Sequence, residues 1–326
     1  RFTSFHDKFK YTYLVAGFDS PSWISSDQNS TVDDNDTATT DDDNIKMYIA
    51  HRFEFRMFSD RVSLALTEAM MYQSSTLDFR YLNPAMFFHD MFIRGNSNST
   101  LTFELNVNPY KNLNVYANFL LDEFPYPGED QTASWSHPNG IGQQYGIEGA
   151  YPMGDGYLSG WFEYVKTDPY LYLRDQVDYI VNRRIFNMES GFSVDRNFLG
   201  YEYGNDALVI AGGAAYRIPD LMAASLSATY MLHGESSMAT AWGTGPAAVG
   251  KKTPYDDPAT VDKTIEKSLK VSGRFESNPF AASSSKHLRN LGLMTQLDYI
   301  MHWNKGNLTG VDTNDIQWTF GIDWKL

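Results

Sequence analysis

The sequence predicts an all-β chain, an antiparallel transmembrane β-barrel of about 12–18 strands, from three observations. Polarity alternates with a period of two through about twelve to fourteen segments of roughly 9–14 residues, well above the about 5–6 residues usual for a soluble strand. The connections between them alternate short and long, as the two ends of a membrane barrel do. Aromatic residues, 15% of the chain, gather near strand ends, where a barrel carries its interfacial girdles.

The segments follow one another in order. Phe9, Tyr11, Tyr13 and Val15 alternate with Lys10 and Thr12. Met47, Ile49, Phe53 and Phe55 alternate with Arg52, Glu54 and Arg56, and Val62, Leu64 and Leu66 follow with Ser63, Ala65 and Thr67 opposite. Leu101 to Asn108 alternates without a break, turns at 109–112, and returns with Leu113, Val115, Ala117, Phe119 and Leu121 on one face. Tyr145, Ile147 and Tyr151 lead through 152–156 into Leu158, Phe162 and Tyr164. Leu208 to Tyr216 turns at Pro219-Asp220 into Ala224, Leu226, Ala228, Tyr230 and Leu232. Leu269, Val271 and Phe275, then Leu293, Leu297 and Tyr299, precede the clearest strand of all, Ile316, Trp318, Phe320, Ile322 and Trp324. One segment, Asp175 to Phe186, offers a helical period instead, with Val177, Ile180 and Val181 sharing a face.

Short connections fall at 59–60, 109–112, 152–156 and 218–221, and long ones at 19–44, 74–99, 123–140, 168–200 and 235–262. Short periplasmic turns and long extracellular loops sort this way in an outer-membrane barrel; a soluble sandwich has no reason to do so. The expected organisation is a single barrel domain over 1–326. Within it, 19–44 is an acidic surface loop with seven Asp between Asp27 and Asp43, either a collector of divalent cations or a solvated loop. Loop 74–99 is too apolar for water and is expected to fold inward as a plug or to pack against the barrel wall, with Asn83, Pro84, Phe87, Phe88 and Phe92 as the plug candidates, for packing or for stacking on a sugar.

Composition excludes several classes. Lys plus Arg is 26 and Asp plus Glu is 40, a net charge of −14, which argues against a nucleic-acid partner. With no cysteine there is no disulfide framework, thiol nucleophile or iron–sulfur site. The longest nearly apolar run, Ala207 to Tyr216, is half of the about 20 residues that a membrane helix needs. The chain opens at Arg1, so the expectation is a removed signal peptide or a start inside a longer chain. The seven His show no metal-ligand spacing, and no metal or cofactor is expected. His233, in His-Gly-Glu-Ser-Ser, loosely echoes an outer-membrane phospholipase, yet neither an Asn partner nor a nucleophile elbow accompanies it, so no catalytic residue is assigned.

The candidate site is the set of charges on the non-apolar strand faces: Arg52, Glu54, Arg56, Glu104, Glu163, Lys270, Arg274, Asp298 and Asp323. In a barrel these project inward. They form either a charged constriction or ligand site, or a self-neutralising salt-bridge network that fills the interior.

Between 80 and 215, short motifs add a resemblance. Arg80-Tyr81-Leu82-Asn83-Pro84-Ala85-Met86-Phe87-Phe88 is followed by Leu120-Leu121-Asp122-Glu123-Phe124. Glu163-Tyr164-Val165-Lys166-Thr167-Asp168-Pro169-Tyr170 and Leu199-Gly200-Tyr201-Glu202-Tyr203-Gly204-Asn205-Asp206 come next. In this order, over about 40% of the chain, they resemble the capsule-assembly (Wzi-type) outer-membrane β-barrel family. The resemblance implies a barrel whose inward-folded loops close the lumen, holding surface polysaccharide as a lectin rather than an enzyme. The sequence departs from that pattern at Tyr203-Gly204-Asn205-Asp206, where relatives often carry a His-Pro stretch, and at Leu326, where barrels commonly end in Phe.

Two functions therefore stand at this point, a polysaccharide-associated barrel with a closed lumen and a diffusion porin for small hydrophilic solutes. Both place the chain in the bacterial outer membrane, in contact with lipid and lipopolysaccharide-type glycolipid. A third, adhesion through the long loops, shares that location.

Overall fold

The computed structural model describes residues 2–4, 8–19, 45–85, 97–124, 139–173, 177–187, 191–238, 264–283, 285 and 289–324. Fifteen strands account for most of them: β1 (Phe2–Ser4), β2 (Phe9–Phe18), β3 (Ile45–Met57), β4 (Val62–Ser74), β5 (Ser97–Tyr110), β6 (Leu113–Glu123), β7 (Gly140–Met153) and β8 (Gly156–Thr167). Then come β9 (Ile180–Asn187), β10 (Gly191–Phe198), β11 (Ala207–Ile218), β12 (Met222–His233), β13 (Glu266–Ser277), β14 (Leu291–Trp303) and β15 (Thr313–Trp324). Thirteen of them form one antiparallel sheet in chain order, with β1 and β15 at its edges; β9 and β10 pair apart as a hairpin. Among the described residues no helix is long and apolar enough to cross a membrane.

Every neighbour pair is antiparallel because each strand of the sheet returns beside the one before it in that sheet, β11 pairing with β8 once the β9–β10 hairpin is passed. The turns at the short end carry left-handed residues: Phe58, Ser59 and Asp60 after β3, Asn112 after β5, Gly154 after β7 and Asp220 after β11. The alternation of lengths weakens toward the C-terminus. The β13–β14 connection, 278–290, sits at the short end and exceeds the 304–312 connection at the long end.

Register keeps one polarity on each face. Lys10, Glu54, Ala65, Glu104, Asn118, Gln144, Val165, Val209, Met231, Ser268 and His302 stand in one cross-strand row, and every second residue from them shares their face. That face is rich in Ser, Thr, Asn, Gln and charge. The opposite face carries Phe55, Leu64, Phe103, Leu105, Val115, Ile147, Phe162, Leu226, Phe275, Leu297 and Trp318, all exposed. A wall this apolar on the outside and polar on the inside inverts a soluble sheet and matches a lipid-facing one.

Buried side chains lie where connections cover the wall. Met71, Leu171, Tyr172, Val177, Tyr179, Ile180, Val181 and Met238 form one cluster, with Phe18, Tyr48 and Leu120 packed on it. Its wall residues, Phe18, Tyr48, Met71 and Leu120, are all on the polar face. Segment 168–206 therefore folds inward. The helical period expected over Asp175 to Phe186 is not realised: residues from Ile180 are strand β9, and Val177, Ile180 and Val181 are buried because the segment packs on the wall, not because they line a helix.

A second cluster, Met47, Ile49, Met70, Tyr72 and Tyr81, with Tyr13, Leu77 and Leu82, uses the opposite, outward face. Thus residues 75–85 lie outside the wall. The Tyr13 hydroxyl donates to the Leu82 carbonyl at 3.0 Å, and that of Tyr11 to the Pro84 carbonyl at 2.5 Å. Of the two expectations for loop 74–99, residues 75–85 take the packing against the wall, and 86–96 lie outside the described residues; the inward-folded segment among the described residues is in 168–206. Apolarity alone does not decide which face a loop covers.

Candidate functional site

All nine charges singled out in the sequence fall on the polar face, and eight of them belong to three local networks or a cleft at the short-turn end. In the first network, the Arg52 guanidinium forks onto Glu104, with Nη2 to Oε2 at 2.8 Å, and donates to Thr67 Oγ1 at 3.0 Å. Its Nε lies 3.5 Å from Glu54, which also meets Lys10. Arg52 thus stands between two carboxylates, on the strand pairing that places Glu54 and Glu104 either side of Ala65. Arg56 is on the same face but exposed near the turn, outside this network.

The second network centres on Glu163, which accepts from the Tyr116 hydroxyl at 2.7 Å and from Gln144 Nε2 at 2.6 Å; Asn118 in turn donates to Gln144 at 2.6 Å. Gly146 makes this possible, because the end of the Tyr116 ring occupies the space that a Cβ there would need. In the third, Asp298 accepts from Ser272 Oγ and from Gln296 Nε2 at 2.8 Å, with the Lys270 ammonium at 3.9 Å. Arg274 holds Glu276, with Nε donating at 2.7 Å. Asp323, on β15, helps line a cleft of about 860 Å³ at the short-turn end with Arg217, Arg274, Glu276 and Arg289. Cations meet carboxylates in the first and third sets, which neutralises those charges locally, whereas Glu163 is held by neutral donors.

Sequence reasoning did not identify the groups that tie segment 168–206 to the interior. Lys46 on β3 meets Asp178 at 2.6 Å, with side chains only 5% and 13% exposed. The Tyr179 hydroxyl lies 3.2 Å from both the Asn98 carbonyl and Thr100 Oγ1 on β5. The Tyr172 amide donates to Asp122 on β6 at 2.6 Å. Farther along, Tyr201 and Tyr203 pack on Val165 and Val209 of β8 and β11, and the Gly234 amide, just past the end of β12, donates to the Asp206 carbonyl at 2.8 Å. A backbone bridge from Asp19 to Asn182 joins the hairpin to the end of β2. One segment touching strands from β2 to β12 on a single face requires that face to be concave. Burial pushes the Tyr172 hydroxyl up to about 12 and that of Tyr179 well above its ordinary value, so both stay neutral, Tyr179 donating to the Asn98 carbonyl and Tyr172 accepting from the Tyr201 amide at 3.2 Å. Gly200 is needed because its φ of +151° is open to glycine, and the Tyr172 ring comes within 2.8 Å of where a Cβ would sit. The only sequence signal for this anchoring was the aromatic density of 168–206.

Asn83 and Pro84 lie on the outward side: Asn83 Oδ1 accepts from the Ala85 amide at 3.0 Å, an Asx turn that directs the chain along the wall. Phe87, Phe88 and Phe92 lie outside the described residues, as does the acidic run from Asp27 to Asp43. Among the described residues no group of three or more His, Asp or Glu is placed to hold a metal ion.

Strand length, the inverted polarity of the two faces and the inward segment together define the chain as an outer-membrane β-barrel. No protein-family model matches it, and no curated protein does either. Among solved structures it is similar to Wzi, a carbohydrate-binding β-barrel involved in group 1 capsule assembly in Escherichia coli. That likeness has a TM-score of 0.46 and 14% identity, over 85% of this chain and 51% of that one. It is similar also to OccK11 (OpdR) of Pseudomonas aeruginosa, with a TM-score of 0.37, 13% identity and coverage of 86% and 67%. A further likeness is to the siderophore receptor PirA of Acinetobacter baumannii, with a TM-score of 0.42, 10% identity and coverage of 97% and 41%. The chain spans about half the length of the capsule-assembly barrel. The class rests on the chain's own sheet.

Proposed function

We propose that this is an outer-membrane barrel closed to free diffusion, which engages surface polysaccharide at its long-loop end and catalyses no reaction. The observation that carries the reading is segment 168–206, whose contacts run from β2 to β12 across the concave face. An open pore has no use for a buried aromatic cluster there. The motif order of the capsule-assembly family supports polysaccharide as the partner, with outer-leaflet glycolipid around the wall.

Conductance of the purified full chain in a planar lipid bilayer tests it. Closed membranes from the full chain, and steady current once 176–197 is replaced by a short Gly-Ser linker, support the reading. Steady current from the intact chain overturns it in favour of the second reading, a diffusion porin. That alternative draws on the hydrophilic inner faces of β12 to β15, where Ser225, Arg274, Gln317 and Thr319 are exposed.

A further inference from the structure

At the long-loop end, between the β9–β10 hairpin, residues 199–206 and the end of β12, lies a cleft of about 350 Å³. Its size falls at the lower end of the roughly 300–1,000 Å³ of small-molecule sites. Arg196, Asn197, Glu202, Tyr203, Asn205 and His233 are among its lining residues. None of them belongs to the charge networks of the strand faces. Their chemistry is mixed in a particular way, with an aromatic ring beside planar groups that donate and accept in pairs.

We infer that this cleft is a saccharide-binding subsite, taking a single pyranose ring of a surface polysaccharide. The inference rests on the polysaccharide reading above and adds the place where the sugar sits. A pyranose has an apolar face of C–H groups and a rim of hydroxyls, each both donor and acceptor. Tyr203 supplies the stacking face and is itself fixed by the Tyr201 ring, edge to face with centroids 5.6 Å apart. Arg196 and Glu202 are tied into no ion pair with a described residue, which leaves a guanidinium fork and a carboxylate for neighbouring hydroxyls.

Two further groups lack the partner that a hydroxyl would provide. Asn205 is fully buried; its Nδ2 donates to the Pro169 carbonyl at 2.5 Å, while its Oδ1 accepts from none of the described residues. A buried acceptor left unmatched costs free energy unless a ligand or water meets it. The His233 Nδ1 lies 2.8 Å from the Gly234 carbonyl, and a carbonyl only accepts, so Nδ1 carries the proton. In the neutral ring, Nε2 is then an acceptor. The cleft thus offers acceptors at Glu202 and His233, donors at Arg196 and Asn197, and one aromatic face. Neither a strongly apolar nor a highly charged ligand matches that set.

The test uses the full chain in detergent micelles, with polysaccharide extracted from the surface of the producing cells and a panel of methyl pyranosides as probes. Binding is read by isothermal titration, with folding monitored by heat-shifted gel mobility. Tyr203→Ala is expected to weaken polysaccharide binding at least tenfold. The exposed pair Arg196→Ala with Glu202→Gln, which leaves the packing intact, is expected to do the same, and one or more methyl pyranosides should compete. If the parent binds polysaccharide and both variants bind equally well, the subsite is refuted while the polysaccharide reading stands. If the parent binds neither polysaccharide nor any pyranoside, both fall together.

Discussion

Replacing Lys46 by Met should loosen the inward segment from the wall without unfolding the sheet. Lys46 and Asp178 are held at 2.6 Å with almost no exposure, and removing one member of a buried ion pair costs about 3–5 kcal/mol, because the other charge stays behind. Asp178 Oδ1 also accepts from the Ile180 amide at 2.9 Å, which keeps part of its hydrogen bonding and places the expectation at the low end. About 3 kcal/mol raises the detached fraction of the segment roughly a hundredfold, at about 1.4 kcal/mol per factor of ten. Hydrogen exchange of the amides of Ile180–Asn187, with bilayer conductance in parallel, reads this directly. The double variant Lys46→Met with Asp178→Leu removes both charges and should return exchange close to that of the parent. Exchange within a few-fold of the parent in Lys46→Met would refute the reasoning, as would a double variant as loose as the single one.

Three further outcomes follow from the same structure. Leu226→Arg, on the outward face and 62% exposed, should cost about 2–4 kcal/mol of folding free energy in vesicles, whereas Ser227→Arg, one residue on and facing inward beside the Asp298 network, should cost far less; urea titration of the bilayer-folded protein compares them. Arg52→Met strands Glu104, whereas Glu54 keeps Lys10, and with these groups about a fifth to a third exposed the loss should be about 1–2 kcal/mol by the same titration, largely recovered by adding Glu104→Gln. Tyr172 remains protonated in the folded state up to about pH 12 while the unfolded chain releases that proton near pH 10. Stability from Tyr172 is therefore complete below pH 10 and is lost as pH rises from 10 to 12; Tyr172→Phe should flatten that loss in alkaline unfolding curves followed by tyrosinate absorbance.

The barrel wall was legible in the sequence because lipid and water sort side chains with a strict period of two, and nothing local competes with that signal. The same logic put all nine candidate charges on one face: Arg52, Glu54 and Arg56 share parity, and no one-residue slip is tolerated. Their partners were less legible, since Arg52 meets Glu104 only through two intervening registers. Loop direction was not legible at all. Loop 74–99 and segment 168–206 are both aromatic, yet Tyr81 packs outward and Tyr179 inward. What decides is the wall residue each one meets. Tyr81 finds Ile49 and Met70; Tyr179 finds Thr100 and Met71, one residue away on the opposite face. Val177, Ile180 and Val181 misled for the related reason that burial by tertiary packing copies a helical stripe over so short a run.

The two covers also fix how high the wall stands. β3 has 13 residues and spans about 43 Å at roughly 3.3 Å per residue, more than the about 25 Å apolar band of a membrane barrel. On its outward face the row of Phe55 and Leu64 is exposed, whereas the row of His51 and Glu68 is buried. A histidine and a glutamate facing lipid would carry a heavy desolvation cost, but here the Tyr11 hydroxyl bridges His51 Nδ1, at 2.7 Å, to the Pro84 carbonyl. Because Tyr11 donates its only proton to Pro84, His51 Nδ1 is the donor to Tyr11. The lipid boundary therefore runs just below His51 on this side, and above it the wall is protein on both faces. Lys46 and Tyr48, nearer the long-loop end of β3 than His51, lie above that line together with the part of the inward segment packed on them.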